Sequence, residues 1–231
     1  MSRFEYDLAK QANKPQIEQA FIAPFNDISV SEKLHKYERS RIMIVGPSMS
    51  GKTNLLLDQF LANSDNPPFT YTQVFIFGTA VVDDPLYQYL RKKEVRDQFT
   101  TPISWSTTLS EFQDTIKTIK KVQPGQPGPL IIIDDMTMFL KQDKGLNNFV
   151  TMARHKGASM VFSLHKFNKM DKMAREQMNI IFVTKMNPGE VNTICKECCG
   201  FDYYSDLRSL KKYMWLRIVD GVPDKLFNPS I

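Results

Sequence analysis

Gly46-Pro47-Ser48-Met49-Ser50-Gly51-Lys52-Thr53 fits the pattern G-x-x-x-x-G-K-[ST], and the chemistry of that pattern is the cradling of a nucleotide's phosphates. Its glycines let the backbone curl so that successive N–H groups face inward. A helix that starts near Lys52 brings its positive end to the same point. Lys52 is then the candidate ligand of the β- and γ-phosphates and Thr53 the candidate hydroxyl on Mg²⁺. With Asn54, the next residue, the candidate nucleotide-binding stretch is 46–54. A second pair, Asp134-Asp135, closes the apolar run "PLIII" at 129–133. Asp134 suits a role in holding Mg²⁺ through water, and Asp135 suits orienting or deprotonating the water that attacks a phosphoryl group. Neighbouring side chains in an extended segment point to opposite faces, so this division of labour requires the strand to end at the pair.

Elements able to position these residues are visible in the hydrophobic pattern. Apolar, β-rich runs recur at 42–45, 73–78, 129–133, 159–164, 179–184 and 213–219, with a further short one at 102–105. Helix-like stretches lie between them at 52–62, 84–93, 109–121, 143–156, 170–178 and 188–198. Alternation of this kind predicts an α/β fold, a mainly parallel central sheet covered by helices on both faces. At the carboxyl end of such a sheet the double acid stands beside the phosphate loop, where ligands of open α/β sheets gather. The strand count between the two motifs favours a P-loop NTPase with an added catalytic acid, an ATP-hydrolysing motor, over a GTP switch or small-molecule kinase. Residues 1–40 read as an arm or added strand, 41–220 as the phosphate-loop domain and 221–231 as an irregular tail.

Composition fits one domain with a real core: 231 residues, 42% hydrophobic and 24% charged. No apolar run approaches the roughly 20 residues of a membrane span, and the N-terminus lacks the apolar centre of a secretory signal, so an intracellular, soluble protein is expected. A net charge of +5 permits an anionic partner. The three cysteines, Cys195, Cys198 and Cys199, sit together in "ICKECCG"; they read as small apolar side chains of a helix, with a metal site as the alternative.

"FNKMD" holds Asn168-Lys169-Met170-Asp171, an N-K-x-D match of the guanine-reading type. Three residues separate it from the preceding strand, and no D-x-x-G follows the acidic strand. A GTPase switch is therefore the lesser reading.

The stretch "NNFVTMARHKGASMVFSLHKF" (147–167) joins a helix end at Ala153-Arg154-His155 to an apolar strand with a polar residue at its tip. With the phosphate loop and the double-acid strand, in that order and at similar spacing, it resembles the genome-packaging ATPases of poxviruses, virophages and related double-stranded DNA viruses, within the FtsK and HerA superfamily. The resemblance runs over residues 40–200. It implies ATP and Mg²⁺ as cofactors and a RecA/FtsK-like three-layer sandwich fold. It implies a motor that moves double-stranded DNA, without regard to sequence, into a preformed capsid, acting as a homo-oligomeric ring of five or six subunits in contact with capsid proteins. The place of action would be the host-cell cytoplasm or a viral factory, with virion association as a further expectation. Arg154 becomes the candidate charge-neutralising finger. The family's strand tip usually carries a Gln that senses the γ-phosphate; His165 stands at that position here and can also donate a hydrogen bond to phosphate. A nucleotide-gated structural or assembly subunit at a capsid vertex is the alternative.

Overall fold

The computed structural model describes residues 39–60, 71–79, 81–95, 102–123, 126–135, 148, 150 and 155–227. Eight strands form one sheet: β1 (Arg41–Val45), β2 (Val74–Gly78), β3 (Ile103–Ser106), β4 (Leu130–Asp134), β5 (Ser159–Leu164), β6 (Ile180–Val183), β7 (Trp215–Val219) and β8 (Val222–Phe227), in the order β3-β2-β4-β5-β1-β6-β7-β8. The first six are mutually parallel, and β7 and β8 close the sheet antiparallel. β2, β4, β5 and β6 are buried along their whole length and β1 beyond its first residue, as apolar runs such as LIIID of β4 require.

Period-two alternation divides these residues between two cores. Met43, Val45, Phe75, Phe77, Ile131 and Ile133 face one side, where helices α3 (Leu109–Thr118) and α5 (Pro188–Ile194) supply Phe112, Val191 and Ile194. Ile42, Ile44, Val74, Ile76, Leu130 and Ile132 face the other, covered by Leu55, Leu56 and Phe60 of α1 (Lys52–Phe60) and by Tyr87 and Leu90 of α2 (Pro85–Val95). The result is the expected three-layer sandwich. Phe77 and Phe112 meet edge to face with centroids 4.3 Å apart, a geometry that adds about 0.5–1.5 kcal/mol to the burial of the two rings.

Several local expectations change. The short run near 102–105 is a true strand, β3, at the sheet edge. The segment read as an irregular tail contains β8, which pairs with β7 through Val222. Pro223 is tolerated there because β8 is an edge strand and the ladder slips beside Ile218. The helix expected over 170–178 shrinks to a 3₁₀ turn, Phe167–Lys169, and the single-turn helix α4, Lys172–Arg175. Asp171 accepts the Met173 N–H and so starts a new helix where the sequence pattern suggests continuation. The helix expected over 188–198 is α5 followed by a π-turn, Cys195–Cys199, ended by Gly200 at φ 84°, whose N–H reaches Cys195 O at 2.8 Å. An unforeseen helix, α6, spans Tyr204–Ser209. The N-terminal arm lies outside the described residues apart from Arg39 and Ser40, as does most of the helix expected at 143–156.

Candidate active site

β1 runs straight into the phosphate loop. Gly46 donates its N–H to Leu164 O of β5 at 3.0 Å. A Cβ at this position would fall 2.4 Å from Thr184 Cγ2 and 2.7 Å from Ser50 Oγ, so only glycine fits. Gly51 turns the chain at φ 87° and delivers Lys52 as the first residue of α1. Met49 also holds a left-handed backbone, φ 58°, with its side chain in solvent.

Lys52 is buried, and its ammonium donates to Gly46 O and Pro47 O, each at 2.9 Å. Burial lowers its pKa, while the negative charges of Asp134 and Asp135 oppose that shift. The same ammonium stands 3.1 Å from His165 Nδ1. An ammonium only donates, so Nδ1 accepts and the ring proton sits on Nε2. Nε2 in turn lies 2.8 Å from Asp135 Oδ1. Ser48 Oγ completes the group, 3.4 Å from Nδ1.

The strand does end at the acidic pair. Asp134 is the last residue of β4, and Asp135 leaves the strand in the left-handed region at φ 53°, its N–H bonded to Ser163 O at 3.2 Å. The two carboxylates therefore occupy different environments. Asp134 is buried and accepts from Thr53 Oγ1 at 3.4 Å and from Tyr87 Oη at 2.7 Å, both on Oδ2. Burial pushes the Asp134 carboxyl up, against the neighbouring hydroxyls of Ser163 and Tyr87, and the charges of Asp135 and Asp84 push it further up. Asp135 lies half-exposed at the mouth of the site.

Thr53 and Asp134 thus present one hydroxyl and one carboxylate oxygen side by side. This all-oxygen donor set with few protein ligands suits Mg²⁺, which keeps several waters and shares phosphate oxygens. The spatial order explains the convergence: β5 lies between β4 and β1, so the acids, the strand-tip histidine and the phosphate loop come from the carboxyl ends of three adjacent strands in the middle of the sheet.

Tyr87 carries no mark in the sequence. Its hydroxyl is buried beneath Asp134, its ring meets Trp105 edge-on at 6.0 Å, and Arg91 lies over Trp105 at 4.5 Å. Burial first, then Asp134, raises the Tyr87 pKa well above the ordinary phenol value. Glu190 is equally unmarked; its Oε2 accepts the Phe167 N–H at 2.7 Å and anchors the segment after His165. The only advance signal for either is a polar tip on an otherwise core-facing helix position.

Arg154 lies outside the described residues; His155, beside it, is helical and exposed. In the N-K-x-D match, Asp171 is taken up by capping α4, and Asn168 and Lys169 point to solvent. Cys195, Cys198 and Cys199 are free thiols, and no trio of His, Cys, Asp or Glu among the described residues is arranged to hold a metal. No helix among them is long and apolar enough to cross a membrane.

The fold is similar to that of the genome packaging NTPase B204 from Sulfolobus turreted icosahedral virus 2 in complex with sulfate, with a TM-score of 0.63 and 16% identity over 83% of this chain and 97% of that one. It is likewise similar to B204, the DNA-packaging ATPase from Sulfolobus turreted icosahedral virus, with a TM-score of 0.62 and 14% identity over 84% and 100%. EssC (ATPases 2 and 3) from Geobacillus thermodenitrificans is more distant, at a TM-score of 0.52 and 10% identity, over 84% of this chain and 40% of that one. At these identities the likeness establishes the P-loop ATPase fold. No curated protein matches the chain in sequence. Residues 30–200, most of the chain, match the family described as Poxvirus A32 protein, and the chain belongs to that family.

Proposed function

We propose that this protein is the ATP-hydrolysing motor that drives double-stranded viral DNA into a preformed capsid. The chain is a viral genome-packaging ATPase by family and fold. The observation that supports the motor chemistry is the convergence of Lys52, Asp134, Asp135 and His165 at the ends of three adjacent strands.

The triphosphate of ATP lies along the inward N–H groups of residues 46–54, and Lys52 exchanges its two carbonyl partners for the β- and γ-phosphates. Thr53 and Asp134 would hold Mg²⁺, which would supply neutralisation of phosphate charge when bound. Asp135 takes the proton of a water whose oxygen attacks the γ-phosphorus, as the bond to the β-bridging oxygen breaks and ADP leaves with phosphate. His165, whose Nε2–H already points at Asp135, keeps that carboxylate aimed and can turn the same proton to a γ-phosphate oxygen. Arg154, from the same or a neighbouring subunit, supplies further positive charge.

DNA is gripped through its phosphates by basic side chains in the channel of a five- or six-membered ring, so binding is sequence-tolerant and salt-sensitive. The ring docks on capsid protein, in the host-cell cytoplasm or a viral factory. Turnover measured with and without duplex DNA, on protein of defined oligomeric state, tests this reading: stimulation by DNA of any sequence is expected. Tight nucleotide binding with negligible turnover on assembled protein would replace the motor by a nucleotide-gated subunit at a capsid vertex.

A further inference from the structure

His165 is bracketed through its backbone. On its N-terminal side Leu164 O holds the Gly46 N–H, and on its C-terminal side the Phe167 N–H is held by Glu190 Oε2 at 2.7 Å. The His165 side chain is 33% exposed, so packing alone does not fix where Nδ1 and Nε2 point. Its two flanks carry that task.

Glu190 is an uncommon partner for a turn N–H. Asn187 caps α5 and accepts the Glu190 N–H at 2.9 Å, an Asn-x-x-Glu start in which the glutamate carboxylate ordinarily folds back onto the N–H of the cap. Here the bonded oxygen reaches a turn 23 residues earlier in the chain. The residue is buried, and a carboxylate withheld from water is costly unless it makes strong bonds. A hydrogen bond to an ionised acceptor is about twice as strong as a neutral one, which suits a backbone position that must not drift.

A second clasp acts on the same turn. The Phe167 ring is fully buried, with the Arg175 guanidinium 4.9 Å from its centroid. That guanidinium donates from Nε and Nη2 to the two oxygens of Glu197, each at 2.9 Å, and from Nη1 to Met170 O at 2.6 Å. Forked pairing of this kind holds an arginine in one orientation. Glu190 and Glu197 belong to one continuous helical stretch, α5 and its π-turn. One element therefore grips the turn by its backbone and, through Arg175, by its aromatic ring.

We infer that Glu190 and the Arg175–Glu197 pair are positioning residues for ATP hydrolysis that act through His165, holding the turn behind it so that Nδ1 meets Lys52 and Nε2 meets Asp135. None of the three bonds to the phosphate loop or to the acidic pair among the described residues. The inference rests on the ATPase reading, and it adds that the rate depends on α5 and its π-turn, which lie outside both phosphate-binding motifs.

The test is a double-mutant cycle on the full-length protein, reading turnover at saturating ATP and, separately, nucleotide affinity. Glu190→Leu removes the acceptor and should lower turnover by about 10- to 100-fold, the scale of an ångström-sized misplacement, while a fluorescent ATP analogue binds within about twofold of wild type. Glu190→Gln keeps an acceptor for the Phe167 N–H and should restore most of the rate. Arg175→Lys keeps the charge and loses the fork, and should lower turnover about tenfold. In a His165→Ala background each of these changes should alter turnover by less than about twofold, because the group they position is gone. Equal fold losses in both backgrounds would mean that the residues only stabilise the fold and would overturn the inference, as would wild-type turnover in both Glu190→Leu and Arg175→Lys. If Glu190→Leu does not fold, the Arg175→Lys arm decides by the same criteria. Those outcomes leave the ATPase reading intact, whereas absence of hydrolysis by wild type overturns that reading and the inference with it.

Discussion

His165 Nε2 lies 2.8 Å from Asp135 Oδ1, and its other nitrogen faces the Lys52 ammonium. One imidazole thus spans Lys52 of the phosphate loop and the half-exposed acid, contributing an acceptor to one and a donor to the other. A glutamine side chain offers the same pair of functions, an amide oxygen and an amide N–H, on a similar reach. The arrangement yields a direct comparison: His165→Gln should retain turnover within about tenfold, whereas His165→Ala should lose about 100-fold or more, on the scale of a lost transition-state hydrogen bond. Steady-state hydrolysis at saturating ATP measures both, and equal loss in the two variants would remove the bridging role.

Asp135→Asn keeps the shape of the acid and its hydrogen bond to the ring but cannot accept the water's proton. Hydrolysis should fall by about 10²-fold or more, while a fluorescent ATP analogue binds as it does to wild type. Turnover near the wild-type rate would take Asp135 out of the chemistry.

Tyr87 holds the same Asp134 oxygen that Thr53 touches. Tyr87→Phe leaves the ring packed on Trp105 and deletes only the hydroxyl. We expect a stability loss of about 1–2 kcal/mol and a severalfold rise in the Mg²⁺ concentration for half-maximal turnover, with the rate at saturating Mg²⁺ preserved. A Mg²⁺ titration separates this from simple destabilisation, which would lower the saturated rate and leave the midpoint in place.

Asp134 should oppose folding while it serves function. Burial and the nearby Asp135 and Asp84 charges raise its pKa, so its carboxylate is less comfortable in the folded protein than in water. The folded state holds this proton more readily than the unfolded one, and the penalty is absent at low pH and grows as pH rises past the ordinary carboxyl value. Asp134→Asn should therefore raise the melting temperature at neutral pH, by about 2–4 °C for each kcal/mol recovered, and abolish hydrolysis. A lower melting temperature would contradict the electrostatic account.

Burial pushes the Cys198 and Cys199 thiols up to about 12, from an ordinary value of 9.0. Thiolate is the reactive form, so alkylation at pH 8 should be about tenfold or more slower in the folded protein than in the unfolded chain. The folded thiols keep their protons to higher pH than the unfolded ones, so the protein should lose stability between about pH 9 and 12. Mass spectrometry of pulse-alkylated samples reads the first effect, and rapid labelling of the native cysteines would refute it.

Legibility in the sequence divides along a physical line. The phosphate loop and Asp134-Asp135 are legible because their geometry is local: a glycine turn, a helix start and a strand end, each written in a few consecutive residues. The central strands show as apolar runs, and β3 is marked only faintly because an edge strand is half-buried and short. β8 is hidden by Pro223, Asp224 and Lys225, residues that an edge strand accepts and a central strand does not. Tyr87, Thr184 and Glu190 are illegible because each acquires its meaning from a partner far along the chain: Asp134, Gly46 and Phe167. The π-turn leaves no trace, since its extra residue per turn shifts the apolar phase only after Cys195.

β5 is fastened on both flanks at its tip: Leu164 O holds the first residue of the phosphate loop and Ser163 O holds Asp135. The cradle and the acid thereby hang from strands on either side of β5, two strand widths or about 10 Å apart. Both groups are tied to adjacent carbonyls of a single strand, so a substitution that displaces the tip of β5 would shift the acid and the cradle together rather than one against the other.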